Sequence, residues 1–147
     1  MLLMENIDRK KLKKEFVSLS KFLEYDKYYP KEFTEFCSSY PEDKLSISSS
    51  IYWYTNPSFV FRIVYSVLRA NNDPFCLRYI HLLLQDLCNS IKILHQKQKI
   101  NHEFDEDLVL YRRTEISENE KVYFEINVSK MIELSGFIST TRNIKKT

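Results

Sequence analysis

The spacing of apolar residues predicts that the chain is helical up to about residue 98. Over residues 5–26, apolar side chains return every three or four positions, which is the repeat of an amphipathic helix. They are Leu12, Phe16, Leu19 and Leu23. Pro30 suits the first turn of a second, shorter helix. The serine-rich run 46–50 indicates a loop.

Two more helices are predicted where a capping residue stands before a proline. Asn56-Pro57 and Asp73-Pro74 each combine a good N-cap with a residue that suits the first helical position. The first helix is expected over residues 57–69 and should be buried, because it is apolar on nearly every side. The second is expected over residues 73–98 and should pack against the first through one apolar stripe. The stripe consists of Leu77, Ile80, Leu84, Leu87, Ile91 and Leu94.

Beyond the charged loop 97–107 the pattern changes to short runs that favour β-strands. Residues 108–111 are apolar or aromatic and lie between an acidic cluster and two arginines. Residues 131–134 and 137–141 are predicted to form two further strands, joined by a turn at Ser135-Gly136. The predicted fold class is therefore α+β, with a helical N-terminal half packed on the first strands of a small mixed or antiparallel sheet.

Residues 117–125 fit two structures equally well. Ser117 with Glu120 has the spacing of a capping box, which predicts a short helix. Val122-Tyr123-Phe124 favours a strand. The pattern alone does not separate these two alternatives.

Glycine is the most informative residue count, because the 147 residues contain one, Gly136. A GxGxxG dinucleotide loop and a phosphate-binding P-loop both need several glycines, so both are excluded. A nucleotide site in this chain has to use side chains. The three cysteines are far apart and have no histidine at zinc-ligand spacing, so we expect reduced core cysteines and no metal site.

Charge and hydropathy predict neither a nucleic-acid nor a membrane partner. The formal net charge is +2, and the basic cluster of residues 9–14 is interpreted as a solvated helix face. A membrane-surface or nucleic-acid role for this cluster is the less favoured alternative. No apolar run approaches the ~20 residues of a membrane span, and residues 1–4 are too few for a signal-peptide core. The expected location is the cytoplasm.

Two motifs in the C-terminal part resemble the arginine-specific mono-ADP-ribosyltransferases. This family carries an arginine at the end of a Val/Leu-Tyr-Arg strand, then a Gly-Phe-x-Ser-Thr-Ser strand, then a Glu-x-Glu loop. The first two signatures are present as Leu110-Tyr111-Arg112 and as Gly-Phe-Ile-Ser-Thr-Thr over residues 136–141. Larger invertebrate members also have an aromatic-Trp-Tyr-Thr run before a buried helix, found here at Trp53 and Tyr54. For these two residues a core position is favoured over a direct ligand role.

The resemblance implies an α+β fold that holds NAD or NADP in a cleft between two small sheets and transfers ADP-ribose to an arginine side chain of an acceptor protein. Arg112 and Ser139 are the implied catalytic residues. Arg112 is expected to bind the phosphate and ribose, and Ser139 to bind the nicotinamide ribose and orient the catalytic glutamate. Thr140 and Thr141 are expected to complete the cofactor-binding strand. Arg112 and Ser139 should therefore lie on adjacent strands, within one nucleotide's reach of each other.

The chain departs from the family pattern in three places. Arg113 stands where the family commonly has glycine, and Thr141 replaces the final serine. No Glu-x-Glu follows Ser139, since the sequence ends six residues after Thr141, and Glu118-Asn119-Glu120 precedes the serine motif. The chain is therefore expected to be a fragment of a transferase that lacks the catalytic glutamate and has no useful activity as given.

The expected organisation is a helical segment over residues 1–50, followed over residues 51–147 by the N-terminal part of a transferase-like domain. One alternative is a non-catalytic helical protein-interaction module derived from the same fold. A nucleic-acid contact through residues 9–14 is a third, less favoured reading, because the net charge is low. The acceptor protein and the choice between NAD and NADP stay open.

Overall fold

In the computed structural model, residues 8–70, 73–101, 108–134, 136–143 and 145 are described, and most of them are helical. The chain divides into two compact units, Met1–Glu103 and Phe104–Thr147. The first, called here the helical unit, contains α1–α7, and the second, the C-terminal unit, contains α8. The helices are α1 Arg9–Phe22, α2 Tyr25–Tyr28, α3 Pro30–Ser39, α4 Ile47–Thr55, α5 Phe59–Arg69, α6 Pro74–Tyr79, α7 His81–Ile100 and α8 Glu118–Ile126.

Side-chain caps determine where four helices of the helical unit begin. Asp8 caps α1, Ser46 caps α4, Ser58 caps α5 and Asp73 caps α6, each by accepting a hydrogen bond from a backbone N–H of the first turn. Pro30 starts α3 as predicted. Two predictions were wrong, because the serine run opens α4 instead of forming a loop, and α5 is capped by Ser58 instead of Asn56.

Two of the predicted helices are interrupted. The helix expected over residues 5–26 ends at Phe22, and Glu24 takes the left-handed conformation with φ 62° before α2 begins. A non-glycine residue adopts this region rarely, so Glu24 marks a sharp change of direction. The helix expected over residues 73–98 is divided into α6 and α7 at Ile80.

The core of the helical unit is a cluster of aromatic rings centred on Phe59 of α5. Phe59 has no solvent exposure. Its ring centroid lies 5.8 to 6.3 Å from those of five other rings, which come from α1, α2, α3 and α4. They belong to Phe16, Tyr25, Phe33, Phe36 and Trp53. Aromatic packing therefore joins the first five helices.

The apolar stripe on α7 is only partly buried. Ile80 and Leu87 lie in the core, but Ile91 and Leu94 are exposed, so the prediction of a fully inward stripe was wrong at its C-terminal end. α7 packs chiefly on α4, whereas it was predicted to pack on α5. A 2.6 Å hydrogen bond between Ser50 and Ser90 joins α4 to α7. α4 has 9 residues and α7 has 20, so α4 can cover only part of α7.

Because α7 is buried at Leu87 and exposed at Ile91, alanine substitutions at these two positions can be compared on one helix. Leu87 is 4% exposed, and Leu87→Ala should lower the free energy of unfolding by ~2–5 kcal/mol through loss of buried methyl groups and the cavity left behind. Ile91 is 43% exposed, and Ile91→Ala should change the free energy of unfolding by no more than about 0.5 kcal/mol. Urea unfolding followed by circular dichroism measures both. Equal effects at the two positions would contradict this packing.

The predicted α+β fold was wrong. The described residues form helices and no strand, and the expected sheet is reduced to one antiparallel bridge between Tyr111 and Thr141. Val109 is 60% exposed and Met131 is 99% exposed, so the expected strands have no packed layer over these apolar side chains. Two short segments without a third strand or a covering layer are marginally stable as a sheet, which accounts for the single bridge.

The C-terminal unit settles the choice left open for residues 117–125. Glu118–Ile126 is a helix, α8, with a complete capping box at Ser117. The Ser117 N–H donates to Glu120 Oε2 at 2.8 Å, and the Glu120 N–H donates to Ser117 Oγ at 3.2 Å. The predicted domain boundary after residue 50 falls within α4, and the assignment of residues 51–147 to a transferase-like domain stays a prediction.

Candidate nucleotide site

The two motif segments meet in the C-terminal unit. The Tyr111 N–H donates to the Thr141 carbonyl at 2.8 Å, and the Thr141 N–H donates to the Tyr111 carbonyl at 2.9 Å. This exchange of two backbone hydrogen bonds is the pairing of an antiparallel ladder. The ends of the Leu-Tyr-Arg and Ser-Thr-Thr motifs are thus held side by side.

The arginine of the first motif contacts the serine of the second. Arg112 Nη1 donates to the backbone carbonyl of Ser139 at 3.0 Å, across 27 positions of sequence. Arg112 therefore binds the segment that carries the hydroxyls, and its guanidinium lies on the solvent-exposed surface beside that segment. The structure brings together the two residues that sequence analysis named as catalytic.

The three hydroxyl residues differ in their surroundings. Thr141 Oγ1 accepts a hydrogen bond from the Asn143 N–H at 3.1 Å, so Thr141 shapes the local turn. The side chains of Ser139 and Thr140 are exposed and have no hydrogen-bond partner in the described part of the unit. Gly136 precedes this segment with φ 82°, a conformation that glycine adopts without steric cost. Ser139 and Thr140 therefore present their hydroxyls to solvent, and Arg112 contacts the backbone carbonyl of Ser139.

The carboxylates of the Glu-Asn-Glu run have a structural role. Glu120 is the third residue of α8, and its Oε2 accepts from both the backbone N–H and the hydroxyl of Ser117, the latter at 3.0 Å. A carboxylate engaged in a capping box stabilises the helix start and is not free to act on a sugar. Glu118 also lies in the first turn of α8.

The helical unit contains a buried polar network that the sequence did not reveal. Asp86 of α7 accepts hydrogen bonds from Arg9 Nη1 at 2.6 Å, Arg9 Nη2 at 2.8 Å and the Tyr40 hydroxyl at 2.7 Å. Burial and the neighbouring Asp86 carboxylate raise the pKa of Tyr40, which keeps its hydroxyl protonated as a donor. The hydrogen bond to Asp86 likewise raises the pKa of Arg9. The network ties α1 to α7 and to the end of α3.

The basic cluster of residues 9–14 is not a continuous solvated face, contrary to prediction. Lys13 is 5% exposed, and its Nζ donates to the carbonyls of Cys37 at 2.8 Å and Tyr40 at 2.7 Å. A cation at these carbonyls compensates the negative end of the α3 dipole. Arg9 is paired with Asp86, so only Lys10, Lys11 and Lys14 face solvent.

A surface groove of about 590 Å³ lies between α1 and the junction of α6 with α7. It is lined by Asp8, Lys11, Leu12, Glu15, Arg78 and His81. Two contacts of its lining residues serve the fold. Asp8 caps α1 by accepting from the Lys11 N–H, and Arg78 Nη2 donates across the groove to Glu15 at 3.0 Å. These contacts give most of the charged residues in the groove a structural role, so no ligand is needed to explain them.

Trp53 and Tyr54 are buried in the helical unit, at 3% and 8% exposure. The Trp53 indole packs against Phe36 and Phe59. The backbone carbonyl of Trp53 accepts a hydrogen bond from the Ser58 hydroxyl at 2.8 Å. The interpretation of both residues as core is therefore confirmed.

The chain matches no protein-family model, no curated protein sequence and no solved structure. The resemblance to the ADP-ribosyltransferases thus rests on the motifs themselves. None of the described helices is both long and apolar enough to cross a membrane. The residues described also include no group of three or more His, Cys, Asp or Glu side chains arranged to hold a metal ion.

Proposed function

We propose that the chain is part of an NAD-dependent protein-arginine mono-ADP-ribosyltransferase, in which residues 108–143 supply nucleotide-binding groups. The observation that carries this proposal is the hydrogen bond from Arg112 to the Ser139 carbonyl, beside the bridge between Tyr111 and Thr141. Two motifs separated by more than twenty residues converge at the positions that the resemblance names.

The chemistry of the converging groups suits a dinucleotide. A guanidinium presents a planar fork of N–H donors that matches the oxygens of a phosphate. Exposed hydroxyls such as those of Ser139 and Thr140 can donate to and accept from the hydroxyls of a ribose. The proposed co-substrate is NAD or NADP, and the proposed acceptor is an arginine side chain of another protein.

These groups bind the ground state and do not by themselves accelerate transfer. Loss of nicotinamide develops positive charge on the ribose, and an anion beside that carbon is needed to stabilise it. Contacts made equally in the ground and transition states lower the Michaelis constant and leave the chemical step unchanged. The resemblance places the required carboxylate in a Glu-x-Glu loop that follows the serine motif.

Binding of NAD to the 147-residue chain tests the proposal. We expect weak binding in saturation-transfer NMR, reduced about tenfold by Arg112→Ala, because a hydrogen bond to a charged group contributes on that scale. Ser139→Ala should also weaken it. Arg142→Ala is the matched control, since Arg142 is an exposed arginine of the same unit and has no assigned role. Equal binding by all four proteins would refute the assignment.

A non-catalytic helical interaction module is the second candidate. It is favoured by two observations: the helical unit buries its own aromatic core, and no sheet is present in the described residues. Sequencing the transcript beyond the Thr147 codon separates the two. A strand-forming segment followed by Glu-x-Glu supports the transferase, and an in-frame stop codon at that point supports the module.

A further inference from the structure

Positive charge is concentrated on the exposed side of α1. This helix carries five lysines and one arginine against one glutamate, whereas the whole chain has a net charge of +2. Arg9 and Lys13 form hydrogen bonds within the helical unit, and the other four lysines are exposed. They are Lys10, Lys11, Lys14 and Lys21.

The exposed lysines share one side of the helix with an exposed phenylalanine. From the helical repeat, Lys10, Lys14 and Lys21 lie within about 40° of one another around the axis. Lys11 and Phe22 lie next to them, so this side spans about 120° and runs for about 18 Å along the axis. Phe22 is 82% exposed, and Leu23, which follows it, is 44% exposed. The basic side of α1 therefore ends at apolar side chains that the fold does not bury.

The acidic residues described in and beside α1 do not neutralise these lysines. Asp8 caps the helix, Glu15 accepts a hydrogen bond from Arg78, and Glu24 is paired with Lys27 at 2.8 Å. None of the four exposed lysines forms an ion pair within the part of the chain that the structure describes. Their charge is therefore available to a negatively charged partner.

We propose that this basic face, formed by Lys10, Lys11, Lys14, Lys21 and Phe22, binds the surface of an anionic lipid bilayer. The lysines attract the anionic headgroups, and the phenylalanine ring enters the boundary between headgroups and acyl chains. The sequence favoured a solvated face for residues 9–14. The structure changes that interpretation, because it places Lys21 and Phe22 on the same side as the exposed part of the cluster. The inference is independent of the proposed function, since it concerns the helical unit alone.

A bilayer fits the basic face better than a nucleic acid does. Sequence-reading proteins present arginine or amide side chains to base edges, and this face has neither. Lysines combined with an exposed phenyl ring are typical of helices that lie in a membrane interface. Phe16 and Ser20, on the opposite side of α1, have no solvent exposure. The helix can therefore lie along a flat surface while its inner side stays packed in the helical unit.

Co-sedimentation of the 147-residue chain with lipid vesicles tests the proposal. We expect binding to vesicles of phosphatidylcholine mixed with phosphatidylserine and none to phosphatidylcholine alone, because the lysines require anionic headgroups. Lys14→Ala and Lys21→Ala should each lower the affinity about fivefold, which is the effect of one lysine near an anionic surface. Lys92→Ala is the matched control and should leave the affinity unchanged, since Lys92 is an exposed lysine of α7 outside the basic face.

Two substitutions of Phe22 test the insertion of its ring. Phe22→Ala should lower the affinity for the anionic vesicles about tenfold, because the apolar ring no longer leaves water. Phe22→Trp places an indole at the expected depth, and brominated acyl chains quench an indole that they contact. Brominated vesicles should therefore quench Phe22→Trp more strongly than the unmodified chain, whose Trp53 is 3% exposed in the core.

Three results would overturn the assignment. The first is a chain that does not sediment with the anionic vesicles, or that does so equally well after Lys14→Ala, Lys21→Ala and Lys92→Ala. The second is binding to a single-stranded oligonucleotide that depends on the same lysines, without binding to vesicles, which would assign the basic face to a nucleic acid. The third is equal quenching of Phe22→Trp and the unmodified chain, which would remove the inserted ring from the proposal.

Discussion

Asp86→Ala is expected to lower the free energy of unfolding of the helical unit by ~3–5 kcal/mol, since it removes one partner of a buried ion pair. The Asp86 side chain is 3% exposed and that of its partner Arg9 is 15% exposed. The substitution removes the two carboxylate oxygens that accept from Arg9, one of which also accepts from the Tyr40 hydroxyl, and leaves Arg9 Nη2 with the Pro41 carbonyl at 3.2 Å. Arg9 would then be left as a poorly solvated charge without its carboxylate.

The fluorescence of Trp53 during urea unfolding measures this effect, because Trp53 is the single tryptophan of the chain and lies in the core of the same unit. Glu15→Ala is the matched control. It breaks the ion pair between Glu15 and Arg78, whose side chains are 17% and 63% exposed, and it leaves behind a solvated Arg78, so the loss should be no more than about 1 kcal/mol. If Asp86→Ala and Glu15→Ala destabilise the unit equally, the buried network does not stabilise α1 against α7.

Helix prediction succeeded where the signal was local. The start of α3 at Pro30 and of α6 at Pro74 depends on residues within one helical turn. The capping box of α8 is also local, but the sequence left residues 117–125 open between a helix and a strand. One error, at the start of α5, arose where two local signals competed. Asn56-Pro57 suggested one cap, but Ser58 accepts the hydrogen bond from the Phe61 N–H.

Burial was predicted correctly for Trp53, Tyr54 and much of α5, but not for the basic cluster or the end of the α7 stripe, because it depends on which helices pack together. Five basic residues in six positions are typical of a solvated face, yet Lys13 reaches the carbonyls at the end of α3, and Arg9 reaches Asp86 across 77 positions. The end of the α7 stripe was likewise predicted to be buried, since periodicity shows which residues share a face but not how far a partner helix extends.

The candidate site was predictable in its residues and not in its contacts. The two sequence motifs indicated Arg112 and Ser139 as site residues, and the β-favouring composition of their segments indicated that these segments pair. The same composition led to a sheet that the described residues do not form, because pairing needs further strands or a covering layer to extend. The bond from Arg112 to a backbone carbonyl could not be anticipated from side-chain chemistry.

Phe59→Ala is expected to have an equally large effect on the helical unit. Phe59 is fully buried, and its ring packs against rings from four other helices, so the substitution removes a contact shared by most of the core. Truncation of a buried phenylalanine costs ~3–5 kcal/mol, through lost burial and the cavity that remains. That is a large share of the ~5–15 kcal/mol by which a domain of this kind is stable.

The matched control is Phe22→Ala at the end of α1, because Phe22 is 82% exposed and should contribute no more than about 0.5 kcal/mol. Circular dichroism during urea unfolding is the suitable measurement, since Phe59 lies 6.1 Å from Trp53 and its removal would change the fluorescence directly. Phe59→Leu should recover part of the stability, because it refills much of the cavity with apolar volume. If Phe59→Ala unfolds at the same urea concentration as Phe22→Ala, the aromatic cluster is not the core of the unit.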